Sequence, residues 1–542
     1  MNALSRVFAS AFPSWAKRRA LSRLQFEVAR QRLDALREFR ERERVLLSTY
    51  SAAEKTRNTG DWPAKNLSAD APIVADSQTM RARARAAVRD DWAGRSLRDA
   101  HIRHVVGTGI WPKADARDPV TDRPFTEFNA WTDWWFERWA RTAAWVDIER
   151  RKTLLGVQSL AIGEAMTAGE SFCLVAYEQR RDMVGLVLQM FEPEQLDVSL
   201  TEAENGNEVR NGIEIDDYSA PVAYWVYRKQ HPLDSYRAGK SERIPAERVI
   251  HLMRQDRPRQ THGVTRMASV LKKLFHLGMY DEYTLLRARF EACGGATIES
   301  DLDAVNQDIA GAYSADETST GTDSRGTSEL IFEPNMLWPL PPGKHAVFHD
   351  PKVPGGNYEP FTKQQTIEIA AGGGVDYPTL TRDFSGNTFS GQRQGMLELE
   401  LETDPEQTHL IDQFLRVIWE AFVTYGVLEG RRGMDAPGFN SDPELKAAYL
   451  EALFQVPPKP WIDPANQAAA LKVQLETRMT SRTREIRRGL GATRDQIFQE
   501  IADDQEAAAD KDIFLPETES QAATPHESVP KPVQRAPAGM EV

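Results

Sequence analysis

The stretch Arg243–Gly295, RIPAERVIHLMRQDRPRQTHGVTRMASVLKKLFHLGMYDEYTLLRARFEACGG, organises the reading of the whole 542-residue chain. Residues Arg248–Met253 (RVIHLM) are β-branched or apolar at most positions and predict a short strand on a pleated, half-buried surface. Arg254–Gly263, with Pro258 and Gly263, predicts a polar turn. Beyond it the apolar positions change to helical spacing: Val264, Met267, Leu271, Leu274 and Gly278, then Tyr280, Tyr283, Leu286 and Phe290. That spacing predicts one helix over 264–292, about 40 Å long, whose other face carries Lys272, Lys273, Arg287 and Arg289. Taken alone, the pattern also fits a core helix of an ordinary globular domain.

Working outward, composition sets limits. With 41% hydrophobic and 27% charged residues, the chain has material for roughly two to four domains. A net charge of −13 argues against a uniformly basic nucleic-acid binder. The two cysteines, Cys173 and Cys293, stand far apart and outside any CxxC, so neither a disulfide framework nor a zinc site is expected and a reducing cytosol is the simplest compartment. No apolar run reaches the length of a spanning helix or a signal-peptide core, which predicts no membrane partner and assembly in the cytoplasm.

Upstream of the opening stretch, Met1–Arg44 is basic and then mixed in charge, as in a solvated surface arm or a contact arm for nucleic acid or a protein shell. Ser77–Val106 predicts a helix capped by Asp76 or Ser77 and ended by Gly107 and Gly109. A tryptophan-rich helix follows, with Trp131, Trp135 and Trp139 on one face for core packing or, alternatively, for stacking on DNA. Asp147–Thr167 predicts another helix. Strands are expected within Ala168–Glu178, Val184–Val198, 211–216 and 220–228, giving an α+β domain with helices on one mixed sheet.

Downstream, 297–351 is polar and of low complexity apart from Leu330–Phe332 and Ala346–Phe348. Phe361–Ala371 predicts a helix stopped by Gly372–Gly374. Arg393–Val423 predicts a long helix, more helix continues to Phe454, and after a Pro-rich strand or turn two C-terminal helices are expected with a break at Gly489–Ala492. From Ala507 onward the composition predicts disorder.

Chemistry-bearing motifs are weak. Gly239-Lys240-Ser241 copies the end of a P-loop, but Asp234 stands where its first glycine belongs. The pairs His101/His104 and His345/His349 lack a third ligand nearby. Ser385–Ser390 contains no GxSxG elbow, and Gly372–Gly374 opens no GxGxxG helix. No enzyme activity, cofactor or metal is expected.

The order of several phrases nevertheless resembles the lambda-type family of tailed-phage portal proteins. They are RIPAERVIHL, GVTRMASVL and the closing CGG; VVGTGI at Val105–Ile110; VDYPTLTRDFSGNTFSGQRQGMLELELE at Val375–Glu402; and WIDPANQAAA at Trp461–Ala470. The third phrase matches the family at Asp376, Tyr377, Leu380, Asp383, Ser385, Asn387, Ser390, Arg393 and Glu398. It departs with Phe384 and Phe389 where tyrosine is common and Gly391 where serine is common, which keeps the aromatic rings and removes hydroxyls. The resemblance spans about Met80–Glu506.

It implies a mainly helical, ring-forming α+β subunit: an N-terminal arm (1–75), a wing (76–263), a first stem helix (264–293), a clip (294–358), a second stem helix (359–380), a tunnel loop (381–391), a long helix returning to the wing (392–460), crown helices (461–506) and a disordered tail (507–542). It also implies a homododecamer at one capsid vertex of the virion, conducting double-stranded DNA. The implied partners are the terminase large subunit, the major capsid protein and a head-completion adaptor. Arg382, Asp383, Phe384, Ser385, Asn387, Thr388 and Phe389 would form the tunnel loop, and Lys272, Lys273, Arg287, Arg289 and Lys363 would line the channel. The alternative is a non-portal nucleic-acid-binding or scaffolding protein of a phage head.

Overall fold

The computed structural model describes residue 57 and residues 66–228, 240–292, 357–386, 388–459, 464–490 and 494–510, with short strands at 296–300, 320–322, 328–330 and 344–348. Its first helix, α1 (Asp70–Asp90), ends where Asp91 turns extended and its carboxylate accepts the Ala93 and Gly94 amides, capping α2 (Trp92–His101). A π-turn, Ile102–Val106, closes at Gly107 (φ 50°). The expected Ser77–Val106 helix is thus three pieces and starts earlier: Ser77 is a buried residue inside α1, not a cap.

Next come β1 (Trp111–Ala114), α3 (Thr126–Ala140), the single turn α4 (Ala143–Val146) and α5 (Leu154–Ala168). Helix α5 starts seven residues later than Asp147, because the Asp147 carboxylate accepts the amides of Glu149, Arg151 and Lys152 and builds a turn there. Strands β2 (Glu170–Tyr177), β3 (Leu186–Phe191), β4 (Glu208–Arg210), β5 (Ile213–Ile215), β6 (Pro221–Val226), β7 (Glu242–Pro245) and β8 (Val249–Met253) complete the region. They do not make one mixed sheet. All their pairings are antiparallel, in a three-stranded sheet β3-β2-β8 and a four-stranded sheet β4-β5-β6-β7. Local strand patterns reveal faces and not partners, so the sequence left the pairing open.

The long helix α6 covers Leu271–Ala292 rather than 264–292. Residues 264–270 are turns whose Met267 and Val270 are buried in the same core as Leu274, so three-residue burial spacing imitates a helix there. Strands β9 (Ala296–Ser300) and β12 (Lys344–Phe348) pair antiparallel, as do β10 (Thr320–Thr322) and β11 (Ser328–Leu330). The remainder of 294–356, like most of the N-terminal arm and everything after Asp510, lies outside the described residues.

Helix α7 (Tyr358–Gly372) stops at the expected glycines and is followed by the short α8 (Tyr377–Thr381). Then α9 (Phe389–Leu410), a π-turn (Ile411–Leu415) and α10 (Arg416–Leu428) form one continuous helical run, starting before Arg393 and ending past Val423. Helix α11 (Pro443–Leu450) leads to β13 (Ala452–Gln455), which pairs with β1. Three C-terminal helices, α12 (Pro464–Glu476), α13 (Arg482–Leu490) and α14 (Arg494–Asp510), stand where two were expected; the extra break falls at residues 477–481.

Three clusters hold the fold. The largest packs α3 and α10 over the three-stranded sheet, with Phe136, Trp139, Trp419 and Phe422 in edge-on or tilted ring contacts; the Trp139 indole also donates to the Leu186 carbonyl. A second joins α2, α6 and α7 through Leu97, Leu274 and Ile369. The third fills the space between the two sheets with Phe172, Leu174, Ile213 and Tyr224. Gly169 and Gly263 meet backbone to backbone beside it: a Cβ on Gly263 would lie 2.0 Å from the Gly169 oxygen.

Candidate functional site

The loop after α8 is built from local hydrogen bonds. Arg382 adopts left-handed backbone (φ 60°) at the helix end. Asp383 folds the next residues: its carboxylate accepts the Ser385 amide at 2.9 Å and the Ser385 hydroxyl at 2.5 Å, and the Tyr377 hydroxyl lies 3.4 Å away. Ser385 and its neighbours hold the Asp383 carboxyl below the usual range. Gly386 (φ 78°) turns the chain in open space. The Thr388 hydroxyl then accepts the Gly391 amide and caps α9. Phe384, Ser385 and Thr388 are exposed; Asn387 and the Phe389 side chain lie outside the described residues.

Helix α2 anchors the base of this loop. The Ser96 hydroxyl donates to the Leu380 carbonyl at 2.6 Å, and His101 Nε2 donates to the Gly373 carbonyl at 2.9 Å. Burial lowers the pKa of His101, and the contact accounts for that histidine without a metal. Neither anchor was foreseen, since contacts between a side chain and a carbonyl far along the chain leave no local signature. Beneath Gly372–Gly374 opens a cavity of about 420 Å³, lined in part by Arg254, Arg266, Glu402, Glu406 and His409. Arg266 pairs with Glu406 across it, and His409 Nε2 donates to the Met253 carbonyl at 2.7 Å.

Of the other cationic candidates, Lys272, Arg287 and Arg289 are exposed on α6. Lys273, half-exposed, pairs with Glu368 and ties α6 to α7. That tie is reinforced by stacked Tyr280 and Tyr358 rings and by the Tyr358 hydroxyl, which donates to Asp281 at 3.0 Å. Lys363 is exposed and sits 5.5 Å from the Tyr377 ring centroid, linking α7 to the loop. On α3, Trp139 is buried, Trp131 and Trp135 are half-buried and Trp134 is exposed. Arg432 covers the Trp131 ring and Arg431 the Trp135 ring, so two members of the stripe are engaged by the chain's own arginines. Ser241 leads into strand β7 and its hydroxyl donates to Asp197, whereas a P-loop would open a helix. Among the described residues no group of histidine, cysteine or carboxylates could hold a metal ion, and no helix is long and apolar enough to cross a membrane.

The family profile described as "Phage portal protein, lambda family" matches residues 55–407, a span that contains both stem helices, the loop and its anchors. The chain belongs to that family. It is 28% identical to the probable portal protein of Halomonas phage phiHAP-1 over 472 residues, covering 85% of this chain and 87% of that one. It is 24% identical to portal protein B of Escherichia phage lambda over 362 residues, or 61% of this chain and 66% of the relative. Among solved structures, a chain from the neck of an empty gene transfer agent particle is similar at 13% identity with a TM-score of 0.41, covering 76% of this chain and 92% of that one. The membership places this chain among phage portal proteins and accounts for the order of motifs around α6 and α9. The Lys273–Glu368 and Lys363–Tyr377 contacts are features of its own side chains.

Proposed function

We propose that this portal-family chain assembles as a twelve-membered ring at one vertex of a phage capsid and conducts double-stranded DNA, with α6 and α7 as the stem and 381–391 as a constriction around the duplex. The observation that supports the ring is a set of large apolar side chains left exposed on two long helices. Phe275, Tyr283 and Leu285 on α6 are 65%, 60% and 63% exposed, and Leu401 on α9 is 70% exposed. Neighbouring copies in a ring would cover them. Negative-stain imaging of the purified protein is expected to show rings with a central hole; a monodisperse monomer would overturn the reading.

In the same reading the wall slides along DNA rather than gripping it. Duplex DNA carries one charge per about 1.7 Å, so a row of unpaired lysines and arginines would hold it still. Lys273, paired with Glu368, supports a wall of mixed sign beside the exposed Lys272, Arg287 and Arg289. A terminase large subunit would supply ATP hydrolysis from outside, and the major capsid protein and a head-completion adaptor would meet the ring's outer and lower faces. Assembly would occur in the host cytoplasm. The chain would carry out no catalysis: purified rings should show no ATPase activity, and activity abolished by Lys240→Ala would contradict this.

The loop is tested separately. Rings of Asp383→Ala, Asn387→Ala or Phe389→Ala should assemble and then package or retain DNA poorly. Normal packaging by all three would make the loop a connector only.

A further inference from the structure

Behind the stem, a group of buried charges outside the candidate site joins four parts of the chain. Glu170, at the start of β2, is fully buried. Its carboxylate accepts from Arg81 of α1, from His251 Nε2 of β8 at 3.0 Å, from His262 Nδ1 at 3.0 Å and from the Gly263 amide at 2.9 Å. The other nitrogen of His262, Nε2, lies 3.0 Å from the carbonyl oxygen of Arg210. That carbonyl is presented by the β4–β5 hairpin, whose two-residue turn Asn211-Gly212 has positive φ at both positions (46° and 87°).

The partners fix the protonation of the two rings differently. Carboxylate and carbonyl oxygens only accept, so both nitrogens of His262 must carry hydrogen. A neutral His262 would aim a lone pair at one of them inside the core, with nothing to compensate. His251 differs: its Nε2–H donates to Glu170, and its Nδ1 lies 3.3 Å from the Tyr224 hydroxyl, which can donate to it. His251 is satisfied as the neutral ring.

We propose that His262 is a buried imidazolium that clasps α1 and the β4–β5 hairpin to the segment leading into α6, forming a pH-sensitive fastening at the root of the stem. The neighbouring segment is held in the same place. Asp70, the first residue of α1, accepts the Thr261 amide and hydroxyl at 2.8 and 3.0 Å and the Arg210 guanidinium at 2.8 Å. The charged or titratable groups facing the clasp are therefore Arg81 and Asp70 from α1, Glu170 from β2, Arg210 with its partner Glu208 from β4, Tyr224 from β6 and His251 from β8.

The titration follows from this geometry. Burial alone would lower the pKa of His262, but the Glu170 charge and the Arg210 carbonyl outweigh it and raise it. For His251, burial dominates and lowers the pKa. The stability contributed by His262 is then fully present below the ordinary histidine range and is lost as pH rises through its folded pKa. That of His251 is present above the ordinary range and is lost as pH falls through it.

Two measurements on the full-length protein test the clasp. In protein labelled with 15N-histidine, one imidazolium signal is expected to persist at pH 8 and to vanish in His262→Gln. The wild-type melting temperature should fall between pH 6 and pH 9 by at least ~3 °C more than that of His262→Gln, whereas a purely steric role would give parallel curves. If His262→Gln does not fold, amide exchange in wild type decides: after correction for base catalysis, Asp70–Asp90 and residues 257–270 should exchange faster at pH 9 than at pH 6. Absence of a persistent imidazolium, parallel melting curves or equal corrected exchange would each overturn the proposal.

Discussion

The two antiparallel sheets, the wing of the proposed reading, and helices α6 and α7, its stem, solve opposite problems. In the sheets, polar groups find partners within the chain: Glu214 accepts from Asn205, Asn207 and Arg243, and Asp197 accepts from Ser199 and Ser241. The stem leaves Phe275, Tyr283 and Leu285 exposed and holds α6 against α7 with the Leu274–Ile369 cluster, a tyrosine stack, the Tyr358–Asp281 hydrogen bond and the Lys273–Glu368 pair. The contrast teaches that the sheets satisfy their polar groups internally, whereas α6 leaves large apolar side chains uncovered, which is what the proposed ring would use.

The most forceful way to break the comparison is to strike the wing where it has no slack. Gly263→Ala places a Cβ 2.0 Å from the Gly169 oxygen, and we expect a loss of at least ~4 kcal/mol, read as a chain that no longer melts cooperatively. Trp139→Ala should cost about 3–5 kcal/mol in chemical denaturation, because it empties a fully buried ring site and orphans the Leu186 carbonyl. Stem truncations should behave differently. Leu285→Ala or Leu401→Ala should shift the isolated subunit by no more than ~0.5 kcal/mol while weakening ring assembly in sedimentation, since the lost area lies outside the core and in the proposed ring would face neighbours. Equal destabilisation of the monomer by Leu285→Ala and Trp139→Ala would erase the distinction.

Acid provides a gentler probe. The Arg243 guanidinium, together with Asn205 and Asn207, holds the Glu214 carboxyl at about 2 despite the opposing effect of its burial. Its contribution is present above the ordinary glutamate range and is lost as pH falls toward 2. Stability of the wild type should therefore fall more steeply below pH 4 than that of Glu214→Gln, as measured by urea midpoints. The smallest effect is expected at the loop: Ser385→Ala should leave the melting temperature unchanged, because its hydroxyl bond to Asp383 is fully solvated.

The sequence made elements legible where burial followed one period. The strand at Val249–Met253, the helix after it and the stop at Gly372–Gly374 could all be read from local pattern. Starts and partners could not. Helix α1 begins at Asp70 where Thr261 and Arg210, nearly two hundred and about one hundred and forty positions away, grip its carboxylate; Asp76 and Ser77 looked like a cap only because the actual start, at Ala69, carries no side-chain cap. The loop's composition was legible, yet its anchors on Ser96 and His101 were not. The buried Glu170 group escaped as well, although His251 and His262 both stand in the opening stretch, because their common carboxylate follows Gly169 far upstream.

Gly169 and Gly263 have an evolutionary consequence. Side-chain cores drift by exchange, one residue shrinking as its neighbour grows, but two peptide groups in direct contact have nothing to exchange. A change that adds a side chain at Gly263 has no single compensating change open to it, so substitution there is expected to be far rarer than on the surfaces to either side.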